Sequence, residues 1–498
     1  MSNGLPHSSL LLLYLTALLV VGLYFAWREG KGTDEYFLAG GKMGWWAIAA
    51  SLFLSNFFRF QVLMYSISIS RYFWLTLIIA GLLSLFVLVG QSRFGWTLTS
   101  FAMIRNTQLN LSFSVLLILF YAVVQVLLVL FLAGFVFEDL MHIEYYTATM
   151  IIVVFTGIYV VVGGFGAVMR TQTVQFVLFA VGVLVILIAG LHPVWVLHPS
   201  LIHAMNNFPQ STALTSAFIG APLLGLWMWN IDHQSAQQLF SVRNTRERLI
   251  GFVVALVGVS LALLFLISEG NQPASAAELP VQAAVSGESI LQTIAGKCVI
   301  LGFFAIIVST LATSFTSVAW LFTHRLYIHF QPSTTEMERV FIARLATTAA
   351  CVIAILLIPI GKMIGGSAIL YFFLIQAYLC PPVAALVIIN LLWKNGSSFG
   401  EIVALISGEA AGFLLFLLNQ LSATDLVKQG PFAFLPADPF INAIGLFFLT
   451  GIIYMSVGYV RTQKVGVADS PQPPDRKLLH AAQVERGTRT PRSTSNKI

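Results

Sequence analysis

Residues 45–61 read WWAIAASLFLSNFFRFQ, and this stretch decides the fold class. It begins as a hydrophobic helix of the kind that crosses a membrane, and then places Asn56, Arg59 and Gln61 where lipid-facing residues are apolar. A charge inside a membrane span costs about 2.5–3.5 kcal/mol on insertion scales, so Arg59 is expected to face protein or a water-filled cavity. The stretch therefore predicts a multispanning transporter with a polar site near the middle of the bilayer.

The whole chain has the composition of an α-helical membrane protein. Of its 498 residues, 58% are hydrophobic and 9% are charged, whereas soluble chains carry about 25% charged residues. The three cysteines match no metal-binding spacing, and the sequence contains no nucleotide-binding glycine-rich loop and no H-E-x-x-H motif. The expected protein is therefore neither an enzyme nor a nucleic-acid binder.

Apolar runs of about 20 residues, each long enough to cross a bilayer as a helix, recur along the chain. They predict about thirteen spans, at residues 9–27, 45–68, 73–92, 111–135, 145–166, 172–192, 215–240, 248–268, 293–323, 339–360, 368–393, 399–420 and 438–460.

The Lys and Arg residues of the loops predict the orientation of these spans. With the N-terminus outside, they divide roughly fifteen to four between inner and outer loops, which is the bias of the positive-inside rule. We therefore expect a multi-pass protein of the plasma membrane with its N-terminus outside and its C-terminus in the cytoplasm. The apparent absence of a glycosylated outer loop favours the bacterial inner-membrane type. The lipid bilayer is an expected partner, and no obligate protein partner is inferred.

Five short motifs follow one another within roughly residues 10–460. They are YFLAG at 36–40 with Trp45, Trp46, Ser55 and Asn56, GGFGAV at 163–168 with Thr171 and Gln175, LWMW at 226–229 with Asp232, VSTL at 308–311 with Ser317 and Thr323, and YLCPP at 378–382. In this order and spacing they resemble the sodium:solute symporter family, whose best-known members are the sodium/sugar cotransporters.

The resemblance implies an all-α LeuT-type fold, in which two inverted five-helix repeats surround a midplane site and the first and sixth core helices are broken midway. The implied segments are an extra helix and inner loop (1–44), the first repeat (45–192), an outer connector (193–214), the second repeat (215–393), two extra helices (394–461) and a disordered cytoplasmic tail (462–498).

The resemblance also implies one sodium site at most. Its ligands would be the carbonyls of Leu54, Phe57 and Ile306 and the hydroxyls of Ser309 and Thr310. Ser and Thr in membrane helices also bond to their own backbone or join helices, and that alternative stays open.

Gln172 stands where the family commonly has an acid beside the sodium path. Because an amide supplies no negative charge, a second sodium site is not expected.

The candidate solute-binding residues are Gln61, Trp229, Asp232, Phe373 and Gln376, and Met228 stands where sugar transporters have a gating tyrosine. A sugar needs many hydrogen-bonding partners, and Met228 and Phe373 provide none with their side chains. The pattern therefore favours a small organic solute other than glucose.

Arg59 has three competing interpretations. It could pair with Asp232 as a structural or gating ion pair. It could hold an anionic solute, for which a planar guanidinium is well suited. It could also replace sodium as a fixed cation, because a bound cation beside a permanent one is unfavourable unless Asp232 neutralises it.

We predict a secondary transporter that couples uptake of a small organic solute to one sodium ion by alternating access. Two alternatives remain, a sodium-independent or proton-coupled carrier and a non-transporting solute sensor of the same fold.

Overall fold

The computed structural model describes residues 7–28, 32–65, 73–93, 107–141, 143–188, 215–242, 244–268, 290–393, 397–421 and 438–464. Within these ranges the chain is almost wholly helical, because a segment in lipid must satisfy its backbone hydrogen bonds internally. The helices are α1 (His7–Arg28), α2 (Thr33–Leu38), α3 (Trp45–Tyr65), α4 (Phe73–Arg93), α5 (Thr107–Leu119), α6 (Val126–Gly134), α7 (Tyr145–Ile188), α8 (Ala221–Leu226), α9 (His233–Phe240), α10 (Thr245–Ser268), α11 (Ile290–Leu321), α12 (Glu336–Ile364), α13 (Ser367–Leu392), α14 (Ser398–Leu421) and α15 (Pro439–Lys464).

Eight of the described helical segments are long and apolar enough to cross a membrane, and three shorter ones (Trp45–Phe57, Thr76–Gly90 and Ser216–Ile231) are apolar. The multispanning α-helical class is therefore confirmed. The count of thirteen spans and the orientation of the termini stay predictions. The predicted connector (193–214) and most of the predicted tail (462–498) lie outside the described residues.

Two predicted spans, 145–166 and 172–192, form the single element α7. Its helical conformation is interrupted at Gly164, whose φ of 60° and ψ of −158° suit glycine alone. An ideal Cβ on Gly164 would lie 2.6 Å from the carbonyl oxygen of Tyr36, so α2 approaches α7 closely at this position.

The sixth core helix is broken, as the resemblance implies. Asp232 has φ −59° and ψ 131°, and it separates a π-helical turn (Trp227–Ile231) from α9. This break places the Asp232 carboxylate at a helix end inside the molecule.

The first core helix differs from the expectation, because α3 runs from Trp45 to Tyr65 without a break. No glycine or proline lies between these residues, and helices kink mainly at such residues or where a group inserts into the ladder. The carbonyls of Leu54 and Phe57 therefore belong to a continuous helix.

The predicted midplane site lies among helices α3, α7, α9, α11 and α13. The first turn of α3 is fixed by α10, because a Glu247 carboxylate oxygen accepts a 2.7 Å hydrogen bond from the backbone N–H of Trp45. Helices α13, α14 and α15 pack against one another beside this group.

Candidate functional site

One face of α3 carries polar residues that meet α9 in antiparallel order. The Gln238 amide donates to the hydroxyl of Ser55 at 2.7 Å, and the Asn56 amide donates to the hydroxyl of Ser235 at 3.3 Å. One turn further along α3, Arg59 reaches Asp232. Asn56 and Arg59, two of the polar residues that made this stretch unusual in the sequence, therefore face protein and not lipid.

Arg59 and Asp232 form a buried ion pair. Arg59 Nη1 lies 2.7 Å from Asp232 Oδ2, and the two side chains are 1% and 0% exposed. The hydroxyl of Tyr121 donates to the other carboxylate oxygen, Oδ1, and accepts a 3.1 Å hydrogen bond from the backbone N–H of His233. Both carboxylate oxygens of Asp232 thus accept hydrogen bonds, as a buried charge requires to offset its loss of water.

Tyr121 lies in a π-helical turn (Phe120–Gln125) between α5 and α6. Such turns occur frequently at functional sites, because they place side chains at positions that a regular helix does not offer. Nothing in the sequence distinguishes Tyr121 from the apolar residues around it, so the sequence analysis missed it.

The three nitrogens of the Arg59 guanidinium differ in their hydrogen bonds. Besides its bond to Asp232, Nη1 makes a 3.4 Å contact with the amide oxygen of Asn56, and Nη2 makes a 3.5 Å contact with that of Gln376. Nε has no hydrogen-bond partner among the described residues. The centre of the guanidinium lies 5.9 Å from the centre of the Phe372 ring.

Three of the predicted sodium ligands, Ser309, Thr310 and Ile306, are engaged with protein groups. The Gln172 amide nitrogen donates to the hydroxyl of Ser309 at 2.7 Å, and its amide oxygen accepts from the hydroxyl of Ser51. Gln172 therefore joins α3 to α11. The hydroxyl of Thr310 donates to the carbonyl of Ile306 at 2.8 Å, which is the backbone-bonded alternative stated for this residue.

Among the other candidate residues, Gln376 contacts the ion pair through Arg59, whereas Phe373 packs edge-on against Phe440 with ring centres 5.4 Å apart. Trp229 packs against Phe252 at 5.6 Å, and the carbonyl of Met228 accepts from Ser235 at 2.6 Å. Gln61 belongs to α3, but its side chain lies outside the described residues.

The chain matches the model of the sodium:solute symporter family over residues 36–408. It is 24% identical over 489 residues to sodium/myo-inositol cotransporter 2 of Mus musculus, a match that covers 84% of this chain and 71% of that protein. It is also 24% identical over 483 residues to sodium/glucose cotransporter 4 of Homo sapiens, covering 82% and 69%.

Two solved structures share the fold. A Na+-coupled sialic acid symporter in a substrate-bound outward-open state matches with a TM-score of 0.68 at 16% identity, over 92% of this chain and 98% of that chain. Mhp1, a nucleobase-cation-symport-1 family transporter, matches with a TM-score of 0.50 at 14% identity, over 89% and 98%. The LeuT-type fold implied by the sequence motifs is thereby confirmed.

Proposed function

The chain belongs to the sodium:solute symporter family, and from this premise we propose that it binds its solute beside the Arg59–Asp232 pair. The protein is a transporter and not an enzyme, and its function is sodium-coupled symport of a small organic solute. Alternating access moves the solute past this pair, which serves as the central gate. The observation that carries the proposal is the burial of an intact ion pair at the break of the sixth core helix.

The place of the pair supports a gating role. Asp232 lies between two helical segments, and Arg59 lies on the neighbouring α3. Discontinuous helices of this kind form the midplane site of such transporters. A solute that enters between α3 and α9 therefore changes the contacts of Arg59 and Asp232 before the segments can move.

We propose that sodium binds beside α11, at the hydroxyls of Ser309 and Thr310 and the carbonyl of Ile306, with Leu54 and Phe57 contributing carbonyls from α3. Hydroxyl and carbonyl oxygens are the hard ligands that such a cation prefers. The Gln172 amide donates to Ser309 and thereby occupies one of the two lone pairs that this hydroxyl oxygen could offer to the ion. Gln172 therefore competes with sodium for the electron density of the Ser309 oxygen and lowers the sodium affinity.

Gln172→Ala is expected to strengthen sodium binding about fivefold, because a neutral hydrogen bond contributes about 1 kcal/mol net and no longer competes. The measurement is the sodium concentration that gives half of the maximal rise in the thermal midpoint of the purified protein.

Gln175→Ala is the matched control. Gln175 lies one turn along the same helix and donates to the hydroxyl of Tyr14 at 2.9 Å, away from Ser309. Unchanged or weaker sodium binding in Gln172→Ala, or an equal gain in both variants, contradicts the competition.

The sodium site itself is tested by the thermal midpoint in sodium chloride and in choline chloride at equal ionic strength. A ligand that binds only the folded state stabilises it by about 2.7 kcal/mol at a hundredfold excess over its dissociation constant. We expect a sodium-specific rise that Ser309→Ala removes and Ser317→Ala keeps, since the hydroxyl of Ser317 has no hydrogen-bond partner among the described residues.

In proteoliposomes the same protein should accumulate solute only with an inward sodium gradient. No sodium-specific rise in the thermal midpoint up to high sodium would overturn the proposed ion site and favour a sodium-independent carrier or a sensor.

A further inference from the structure

The guanidinium of Arg59 presents one edge that its partners within the described part of the chain leave largely unused. Nη1 makes the short bond to Asp232, whereas Nε and Nη2 lie on the other side of the group. Nε has no partner among the described residues, and the Nη2 contact is a long one, 3.5 Å from Gln376. A buried, charged donor without a partner is costly, because it has lost water and gained nothing.

The Nε–H bond and one Nη2–H bond are parallel, and their spacing matches that of the two oxygens of a carboxylate. Carboxylates accept such paired donors in a bidentate geometry, and charge-assisted bonds of this kind are about twice as strong as neutral ones. A single hydroxyl of a polyol can use only one of the two donors well. The edge is therefore matched to a planar anion.

A ligand on this edge leaves the ion pair intact, because Asp232 is bound through Nη1. The pair is neutral as a whole, so an added carboxylate leaves one uncompensated negative charge in a low-dielectric interior. One sodium ion restores neutrality. Solute and ion then stabilise each other, since either one alone leaves an unbalanced charge at this depth.

The surroundings of the guanidinium combine an apolar wall with one polar group. The guanidinium lies over the face of the Phe372 ring, which stacks on Phe120 with ring centres 5.8 Å apart. The amide oxygen of Gln376 contacts Nη2, and its amide nitrogen donates to the carbonyl of Phe372 at 3.3 Å. Small-molecule sites combine such apolar walls with a few placed polar groups, so an organic acid with an apolar body suits this position.

We propose that the transported solute is a small organic carboxylate whose two oxygens accept from Nε and Nη2 of Arg59, in a complex that one sodium ion neutralises. This assignment rests on the proposed function, and it names the substrate class of the same central site.

The test uses pairs of probes that differ only in charge, lactate with lactamide and benzoate with benzamide, and myo-inositol as a neutral polyol. The thermal midpoint of the purified, full-length protein is titrated with each probe at constant sodium and again in choline. At least one acid should stabilise the protein in sodium only, and its amide should not.

Arg59→Lys keeps the positive charge opposite Asp232 but loses the two-donor edge. We expect the apparent affinity for the acid to fall about tenfold or more, as for the loss of one charge-assisted hydrogen bond. The sodium-dependent rise without any probe should persist in this variant and thereby shows that it folds.

The assignment is overturned if no acid stabilises the protein, if an amide or the polyol does so equally, or if the response to the acid survives Arg59→Lys. Should sodium alone still raise the midpoint in those cases, the symport proposal stands and only the substrate class is wrong. Should sodium have no effect either, the proposed function fails with it.

Discussion

Asp232→Ala is expected to destabilise the protein by about 3–5 kcal/mol and to abolish transport. The substitution leaves the Arg59 guanidinium buried without its counter-ion, and removal of one partner of a buried pair costs this much because the other charge stays uncompensated. It also leaves the hydroxyl of Tyr121 without the acceptor it now has at Asp232. The measurement is the thermal midpoint of the purified variant, together with sodium-driven uptake in proteoliposomes.

The double variant Arg59→Met with Asp232→Leu separates stability from function. Apolar side chains of similar volume often replace a buried ion pair without loss of stability, so we expect a thermal midpoint close to that of the unmodified protein and no transport. Retained transport in the double variant would show that the pair serves packing only.

The pair between Lys362 and Glu138 provides the control for Asp232→Ala. It has the same 2.7 Å separation, but its side chains are 41% and 42% exposed. Exposed pairs contribute about 0–1 kcal/mol, so Glu138→Ala should hardly move the midpoint. A comparable loss in both variants would mean that burial of the Arg59–Asp232 pair is not the cause.

Gly164→Ala is expected to destabilise the protein by about 3 kcal/mol, because the glycine-only backbone conformation at φ 60° and ψ −158° alone costs another residue about 1–3 kcal/mol. The new methyl group would also lie 2.6 Å from both the carbonyl oxygen and the Cδ2 of Tyr36. Backbone cannot move aside as a flexible side chain can, so α2 has to separate from α7. The thermal midpoint and the yield of monodisperse protein measure this loss.

Gly445→Ala is the matched control, because an ideal Cβ on Gly445 meets no atom within 4 Å. Alanine also favours a helix over glycine by about 1 kcal/mol, so this variant should be neutral or slightly stabilising. A mild effect of Gly164→Ala, similar to that of Gly445→Ala, would refute the requirement for glycine in α7.

Much of the architecture could be predicted because membrane spans are encoded locally. Length, hydropathy and the polar face of α3 are readable from neighbouring residues, and the motifs in register identified the family and its LeuT-type fold. The same resemblance implied two broken helices. The break at Asp232 is observed, whereas α3 is continuous, since a run without glycine or proline keeps its helical ladder.

The contacts around the proposed sodium site could not be predicted from neighbouring residues in the sequence. The sequence indicated that Gln172 lacks a negative charge, but not that its amide joins Ser51 to Ser309. Such a bridge depends on the distance between α3, α7 and α11, and these helices are far apart in the chain. Tyr121 was missed for the same reason, because a tyrosine in an apolar run has no local feature that reveals its partner.

The sequence by itself determined that this is a multispanning transporter of a known family and that Arg59 faces protein. Only the tertiary structure decided which partner Arg59 has and which of its donors lacks a hydrogen-bond partner among the described residues. Hydropathy is a sum over adjacent residues, whereas the pairing of Arg59 with Asp232 joins positions that are 173 residues apart. A buried charge requires a partner, but which one it finds depends on how the helices pack.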